Sequence, residues 1–154
     1  MPPTGSPFRF STGDDPIAQA EHFLATLEPH DGTLPALDLE ANPQGPLMSI
    51  AQARAFVTHC QARTGKWPGL YSGNTVREAL HGTPDPVPAH CWLWLAQYTA
   101  HPVVPHPWEG WTLWQFTDGH CGSGPFEVPG VGHCDRSRFA GGTEALAAFW
   151  AANA

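Results

Sequence analysis

The chain has 154 residues, of which 42% are hydrophobic and 14% charged, and its formal net charge is −7. This length and composition fit one globular domain with a single core, and the length is short for a closed α/β barrel. The acidic balance and the scattering of the seven lysines and arginines argue against a nucleic-acid-binding protein, because no basic stripe is available to neutralise phosphates.

The N-terminus has no apolar run preceded by basic residues, so we expect no export signal in this chain. No segment reaches the roughly 18 to 20 apolar residues that a membrane span needs. The sequence therefore predicts no membrane partner.

The sequence pattern of residues 15–40 predicts a helix followed by a strand. Asp15 and Pro16 are typical of a helix start. Residues 34–40 predict a short buried parallel strand that becomes acidic at its carboxyl end. One face of the helix carries the apolar residues Ile17, Ala20, Leu24 and Leu27.

The next segment repeats this alternation. Ser49 is a good N-cap for a helix that ends at Gly65. Residues 67–72 predict a strand, and Asn74 is expected to cap a short helix that ends at Leu80.

Residues 91–98 and 112–117 predict two further strands, joined by a loop rich in proline and histidine. A glycine-rich, hairpin-like stretch leads to Asp135, and Thr143 is expected to cap a last helix that runs through Trp150. Strands that alternate with helices predict an α/β fold with a mainly parallel sheet, formed by one domain over residues 1–154.

Asp38 and Glu40 form the most informative pair of residues in the sequence. Residues i and i+2 of a strand point to the same face, so both carboxylates should project to one side. Two carboxylates at close range raise at least one pKa, and a carboxylic acid that stays protonated near neutral pH suits proton donation to a glycosidic oxygen. Asp135 is expected to join them if the sheet closes.

The alternative reading is that these two acids only cap the following loop. An arbitrary strand that ends in Asp-x-Glu favours this structural reading, and the aromatic residues around the pair shift the balance toward a functional site.

Aromatic residues supply candidate sugar-stacking surfaces near these acids. Trp92, Trp94 and Tyr98 alternate with Leu93 and Leu95 on one strand, so one set must face inward and the other outward. The period alone does not say which set faces the cleft.

The four cysteines, Cys60, Cys91, Cys121 and Cys134, each follow a histidine, which raises the question of a zinc site. Their separations match no compact zinc motif, so buried or free thiols are the preferred interpretation. A disulfide between Cys121 and Cys134 is left open. Metal-dependent hydrolysis through Asp38, Glu40 and a histidine is a further alternative, and it predicts sensitivity to a chelator.

Five ordered segments resemble glycoside hydrolase family 25, the N-acetylmuramidase lysozymes. They cover nearly the whole chain in the family's order and spacing, which makes the resemblance specific. The segments are LPALDLE (34–40), GLYS (69–72), WLWLAQY (92–98), WTLWQF (111–116) and CDRS (134–137).

The resemblance implies an α/β fold of the irregular TIM-like barrel type. In the family a strand with another active-site aspartate and a second strand-helix unit precede the strand that corresponds to residues 8–10. We therefore expect an N-terminally truncated, partial catalytic domain that lacks the first two strand-helix units, or on the order of 60 residues.

The resemblance also implies roles. The enzyme would cleave the β-1,4 bond between N-acetylmuramic acid and N-acetylglucosamine in peptidoglycan at the bacterial cell wall, after secretion or release at lysis. Glu40 would be the acid/base, Asp38 would orient the substrate's 2-acetamido group, and Asp135 would be a further acid. No metal or organic cofactor is implied, and an inactive saccharide-binding remnant is the alternative. Candidate sugar contacts are Tyr71, Trp92, Tyr98 and Gln115.

Overall fold

The computed structural model describes residues 8–27, 32–82 and 85–154, and of residues 8–10 it describes the backbone alone. These described ranges contain eight strands in two sheets. The strands are β1 (Phe8–Phe10), β2 (Ala36–Asp38), β3 (Gly69–Ser72), β4 (Trp92–Ala96), β5 (Leu113–Thr117), β6 (Glu127–Val128), β7 (Gly132–His133) and β8 (Arg136–Phe139).

The main sheet has six strands in the order β1-β2-β3-β4-β5-β8. Strands β1 to β5 are parallel, and β8 pairs antiparallel with β5. The predicted α/β fold with a mainly parallel sheet is therefore confirmed. Within the described residues the sheet is open, because β1 and β8 form its two edges, and the barrel suggested by the sequence is not closed.

Within the described ranges, a helix follows each of β1, β2 and β3, and a last helix follows β8. None of them is long and apolar enough, within the described ranges, to cross a membrane. They are α1 (Pro16–Leu27), α2 (Ile50–Thr64), α3 (Asn74–Ala79) and α4 (Thr143–Asn153), with a short 3-10 helix at Pro88–His90.

The predicted ends of α2 agree with the structure. Ser49 forms a capping box with Gln52, and Gly65 ends the helix with a φ of 77°, a conformation that glycine adopts without strain.

Two other predicted caps are wrong. Asn74 is the first residue of α3 and Gly73 precedes it, because the Val76 amide is already bound by the Ser72 hydroxyl at 3.2 Å. Similarly, Thr143 is the first residue of α4, and Gly142 stands at the cap without a side-chain hydrogen bond.

The hydrophobic core lies between the sheet and helices α1 and α2. Leu37, Leu39 and Leu70 point to this side and are at most 1% exposed. Phe23 of α1 meets Phe56 of α2 with a ring-centroid distance of 5.7 Å. Burial of each such side chain stabilises the fold by about 1.5–3 kcal/mol.

The apolar face predicted for α1 is partly wrong. Ala20 and Leu24 are buried as expected, but Ile17 is 40% exposed. The buried face of the helix is centred on Ala20, Phe23 and Leu24, since Phe23 has to reach the ring of Phe56.

The opposite face of the sheet carries the candidate site. Asp38 is directly paired with Tyr71, Tyr71 with Trp94, and Trp94 with Leu113, so these four residues form one row across four strands. Side chains at paired positions share a face. The row therefore answers the question that the sequence left open: the tryptophans of β4 face the cleft, and Leu93 lies on the other face.

Candidate active site

An open cleft of about 650 Å³ lies on this face of the sheet. It contains all three predicted acids, which come from three separate parts of the chain. Its lining residues are Gly32, Thr33, Leu34, Asp38, Glu40, Tyr71, Trp92, Trp94, Leu113, Gln115, Asp135 and Trp150.

Asp38 is the most enclosed of the three acids, with 5% of its surface exposed. Its backbone carbonyl accepts a hydrogen bond from the Ser11 amide at 3.0 Å, so the main chain is fixed from the β1 side. Burial, together with the charge of Glu40, raises the pKa of the Asp38 carboxyl from 3.8 to about 7. Its Oδ1 atom is buried and has no hydrogen-bond partner among the described residues. Asp38 therefore offers an acceptor that a bound ligand can use.

Glu40 is held beside Asp38 by the residue between them. The Leu39 amide donates to the Tyr71 carbonyl at 2.8 Å, and the Leu39 carbonyl accepts from the buried Ser72 hydroxyl at 2.6 Å. These two bonds keep the chain extended beyond β2, so Glu40 points to the same side as Asp38. Burial and the charge of Asp135 raise the pKa of Glu40 above its usual range.

Asp135 reaches the cleft through the segment between β7 and β8. The turn after β5 packs against this segment so closely that a Cβ on Gly119 would lie 2.7 Å from the Cys134 amide nitrogen. Gly119 also has a φ of 85°, which disfavours any other residue at this position. After the turn, Arg136 donates from Nη1 to the Pro125 carbonyl at 2.7 Å. Asp135 thus joins the other acids although the sheet is open.

Aromatic and polar groups surround the acids. Tyr71 contacts Trp94 edge to face at 5.3 Å, and Trp94 donates from Nε1 to the Ser137 hydroxyl at 3.0 Å. The Gln115 amide lies 3.4 Å from the Tyr98 hydroxyl, which also hydrogen-bonds with Tyr71. Burial is the main reason that the pKa of Tyr71 is raised, so its hydroxyl stays protonated.

The predicted site residues are therefore brought together, with one difference. Six of the seven line the cleft, whereas Tyr98 lies at its margin, 37% exposed, and reaches the cleft through Gln115 and Tyr71. Residues 32–34, Leu113 and Trp150 also line the cleft and were not predicted as site residues. Trp150 gave no signal in the sequence, because helix periodicity does not say which distant strand a helix will face.

No cysteine or histidine among the described residues lines the cleft. Within the described ranges, no three His, Cys, Asp or Glu side chains are arranged to hold a metal ion. The four cysteines are free thiols, so the disulfide considered between Cys121 and Cys134 is not formed. Cys60 and Cys91 are buried, and burial raises the pKa of both thiols.

This geometry suits acid-base chemistry on a neutral, hydroxyl-rich ligand. Glu40 combines a raised pKa with access to the cleft, as proton donation near neutral pH requires. Asp38 lies beside it as a buried acceptor, and the aromatic side chains provide flat apolar surfaces for sugar rings.

Comparisons with known proteins agree with this description. A search of curated proteins finds no match. Among solved structures, a bacterial lysozyme from Streptomyces coelicolor is 26% identical with a TM-score of 0.71; 96% of this chain is covered, and 72% of that one. A muramidase from Acremonium alcalophilum is 26% identical with a TM-score of 0.68, at coverages of 93% and 71%. A family GH25 lysozyme from Aspergillus fumigatus is 26% identical with a TM-score of 0.64, at coverages of 90% and 69%.

A family model described as glycosyl hydrolases family 25 matches residues 6–124. This range is more than half of the chain, and it includes Asp38, Glu40 and all the aromatic residues of the cleft except Trp150. The chain therefore belongs to glycosyl hydrolases family 25.

Proposed function

We propose that this glycoside hydrolase is a lysozyme that cleaves the β-1,4 bond between N-acetylmuramic acid and N-acetylglucosamine in bacterial peptidoglycan. The observation that carries the proposal is the pairing of Asp38 and Glu40 in a cleft lined with aromatic side chains, in a chain that belongs to family 25. The solved structures that it resembles include proteins named muramidase and lysozyme. Its place of action is then the bacterial cell wall.

Glu40 is proposed as the general acid and then the general base. A proton donor has to reach the glycosidic oxygen, and Glu40 is the more accessible member of the pair. Its raised pKa keeps a larger fraction of the carboxyl protonated near neutral pH than an ordinary glutamate would have.

Asp38 is proposed to hold the 2-acetamido group of the substrate. Its unpartnered Oδ1 can accept a hydrogen bond from the acetamido N–H, which stabilises the ionised carboxylate. The acetamido oxygen, fixed in this way, would attack the anomeric carbon while Glu40 protonates the leaving oxygen. This route belongs to the substrate-assisted exceptions to the usual two-carboxylate scheme. After burial, the charge of Asp135 is the second cause that raises the pKa of Glu40.

Sugar rings are proposed to contact Tyr71, Trp92 and Gln115, with Tyr98 at the margin. Tyr71 and Trp92 offer aromatic surface, and Gln115, which is 3% exposed, offers a side-chain amide. Because a ligand amide or hydroxyl would compete with Tyr98 for Gln115, Tyr98 is expected to affect binding indirectly.

Residues 1–154 are proposed to form one catalytic domain, and the six-stranded sheet to correspond to the greater part of the family's irregular barrel. This proposal is supported by the coverage of the solved structures: the chain matches 72% of the Streptomyces coelicolor lysozyme and 71% of the Acremonium alcalophilum muramidase.

The test is lysis of a bacterial cell-wall suspension, followed as loss of turbidity. Glu40→Gln removes the proton donor with little change in size, so we expect the rate to fall by about 10²- to 10⁴-fold. Glu78→Gln is the matched control, because Glu78 is exposed on α3 and lies outside the cleft. Equal lysis by the Glu40→Gln variant and the unmodified chain would contradict the assignment. Glycan binding without any lysis by the unmodified chain would contradict the enzymatic function itself.

A further inference from the structure

The outer face of strands β5 and β8, opposite the cleft, carries two arginines. Trp114 of β5 is paired with Leu95 of β4 and with Arg138 of β8. Paired residues share a face, and Leu95 directly follows Trp94, which lines the cleft. Arg138 therefore points away from the cleft, and Arg136, two residues earlier on the same strand, projects to the same face.

The helices described in the structure leave this outer face open. The chain passes from β4 to β5, and from β5 to β8, without forming a helix. Helix α4 follows β8 and packs through Phe149 against Phe139. Phe139 is paired with Leu113, a residue that lines the cleft, so α4 packs on the cleft side of the sheet. Arg138 is accordingly exposed and Arg136 is half-buried.

Both guanidinium groups lie over aromatic rings. The Arg138 Cζ atom is 4.7 Å from the ring centroid of Phe116 and 5.5 Å from that of Trp114. The Arg136 Cζ atom is 5.7 Å from the same Phe116 ring. The residues that supply these rings are buried. Stacking of this kind orients each guanidinium and leaves N–H groups at its edge for an acceptor.

The charges of these two arginines are not balanced within the described residues. Two other arginines, Arg54 and Arg63, each form an ion pair with a carboxylate. Arg136 and Arg138 form none there, although the chain has 14 acidic residues. Arg136 uses one N–H group on the Pro125 carbonyl, and no described group accepts a hydrogen bond from Arg138. Two positive charges over one ring repel each other, which favours an anion that contacts both.

The spacing of the two arginines narrows the kind of anion. Residues i and i+2 of a strand lie about 7 Å apart along it. A phosphate group has oxygens that point in several directions, so it can accept from two guanidinium groups at about 2.8 Å each. A carboxylate has two oxygens in one plane, and one guanidinium satisfies both. The pair is therefore better matched to a phosphate than to a carboxylate.

We propose that Arg136 and Arg138 form a docking surface for a phosphate-bearing polymer on the outer face of the sheet. One exposed site of this kind binds a single phosphate weakly, whereas a polymer presents many phosphates at a high local concentration. Single-stranded nucleic acid is disfavoured, because Trp114 and Phe116 are buried beneath the guanidinium groups and offer no surface for bases. The surface goes beyond the proposed reaction: in a cell wall it would retain the enzyme beside its glycan.

The test measures the affinity of the chain for a short inorganic polyphosphate by calorimetry at salt concentrations around 0.15 M, where charges beyond about 8 Å are screened. Arg138→Met removes the charge but keeps an unbranched stem over the rings, so we expect the affinity to fall about tenfold. The slope of log affinity against log salt concentration should also become shallower by about 0.7, the value of one lost phosphate contact. Arg77→Met is the matched control and should retain binding, because Arg77 is exposed on α3, away from the outer face of β8.

A second variant, Arg136→Met, removes the other guanidinium and should weaken polyphosphate binding to a similar extent. It decides alone if Arg138→Met fails to fold, which the thermal midpoint of each variant shows. Binding that survives both substitutions overturns the proposal. An equal loss in Arg77→Met also overturns it, because net charge alone would then account for the attraction.

Three further probes identify the class of partner. Poly-L-glutamate should bind more weakly than polyphosphate of equal charge, and equal binding would overturn the choice of phosphate. An oligothymidine that binds more tightly than polyphosphate of equal charge would identify a nucleic-acid surface instead. Binding to vesicles of equimolar phosphatidylcholine and phosphatidylglycerol, without binding to polyphosphate, would identify a membrane surface instead. All these measurements report binding and not turnover, so a failure of the lysis test remains distinguishable.

Discussion

The two faces of the parallel sheet differ in composition although they are built by the same short strands. Toward α1 and α2 the strands present Leu37, Leu39 and Leu70, which are aliphatic and fully enclosed. Toward the cleft, the neighbouring positions are Asp38 and Tyr71, which are buried but polar. Two of the three buried polar side-chain atoms without partners among the described residues, those of Asp38 and Trp92, lie on the cleft face. The helix-facing side of the sheet therefore stabilises the fold through apolar burial. The cleft-facing side contains unsatisfied polar groups that a ligand can bind.

The sharpest test of this difference uses adjacent residues of β3. Leu70→Ala should lower the free energy of unfolding by about 3–5 kcal/mol, because a fully buried leucine leaves a cavity. Tyr71→Phe should cost only about 1 kcal/mol, the value of a typical hydrogen bond, while it weakens lysis. Urea unfolding and turbidity assays on both variants measure the two effects. Similar losses of stability in Leu70→Ala and Tyr71→Phe would contradict the inference that the helix-facing side of the sheet stabilises the fold more than the cleft-facing side does.

A second test asks whether the cleft face destabilises the fold, as the pKa of Asp38 implies. The carboxyl's pKa is about 7 in the folded chain against an ordinary value of 3.8. Between these pH values the folded state holds a proton that the unfolded state has released, so stability falls as the pH rises through this window. Asp38→Asn removes the ionisation. It should raise the free energy of unfolding at pH 8, by at most about 4 kcal/mol, with the gain vanishing below pH 3.8.

The control for that experiment is Asp118→Asn. Asp118 accepts hydrogen bonds from the Cys121 and His120 amides, which lower its pKa, so its replacement should not stabilise the fold at pH 8. The measurement is the denaturant midpoint of the unmodified chain and of both variants at several pH values. A pH-independent effect of Asp38→Asn would show that its carboxyl is not under electrostatic strain.

The smallest expected effect concerns Ser137, which fixes Trp94 at the wall of the cleft through a 3.0 Å hydrogen bond. Ser137→Ala removes this acceptor, and since one such bond is worth about 0.5–1.5 kcal/mol, KM for soluble glycan should rise about 2- to 10-fold. The thermal midpoint should change little because Ser137 is exposed. Ser137→Thr keeps the hydroxyl and should restore KM. An unchanged KM in Ser137→Ala would mean that this hydrogen bond does not position Trp94 for binding.

Much of the local structure was predictable from the sequence because it depends on neighbours along the chain. Ser49 and Gly65 mark the ends of α2 through caps that involve residues within one turn. The two-residue spacing of Asp38 and Glu40 also placed both acids on one face.

What the sequence did not predict depends on contacts between distant segments. The alternation in β4 gave two faces without saying which one meets the helices, and only the pairing of Trp94 with Tyr71 decides this. Trp150 enters the cleft because α4 folds back to bond with Gly32, a contact across 118 residues that no local pattern encodes. The exposure of Ile17 likewise follows from the meeting of α1 with α2.

Cleavage of the glycan after N-acetylmuramic acid is tested most directly by the identity of the new reducing end. Purified peptidoglycan would be digested, reduced with borohydride and analysed by mass spectrometry. We expect reduced N-acetylmuramic acid at the ends released by the unmodified chain, and none after treatment with the Glu40→Gln variant. Reduced N-acetylglucosamine as the only new end, or the same ends from both proteins, would contradict it.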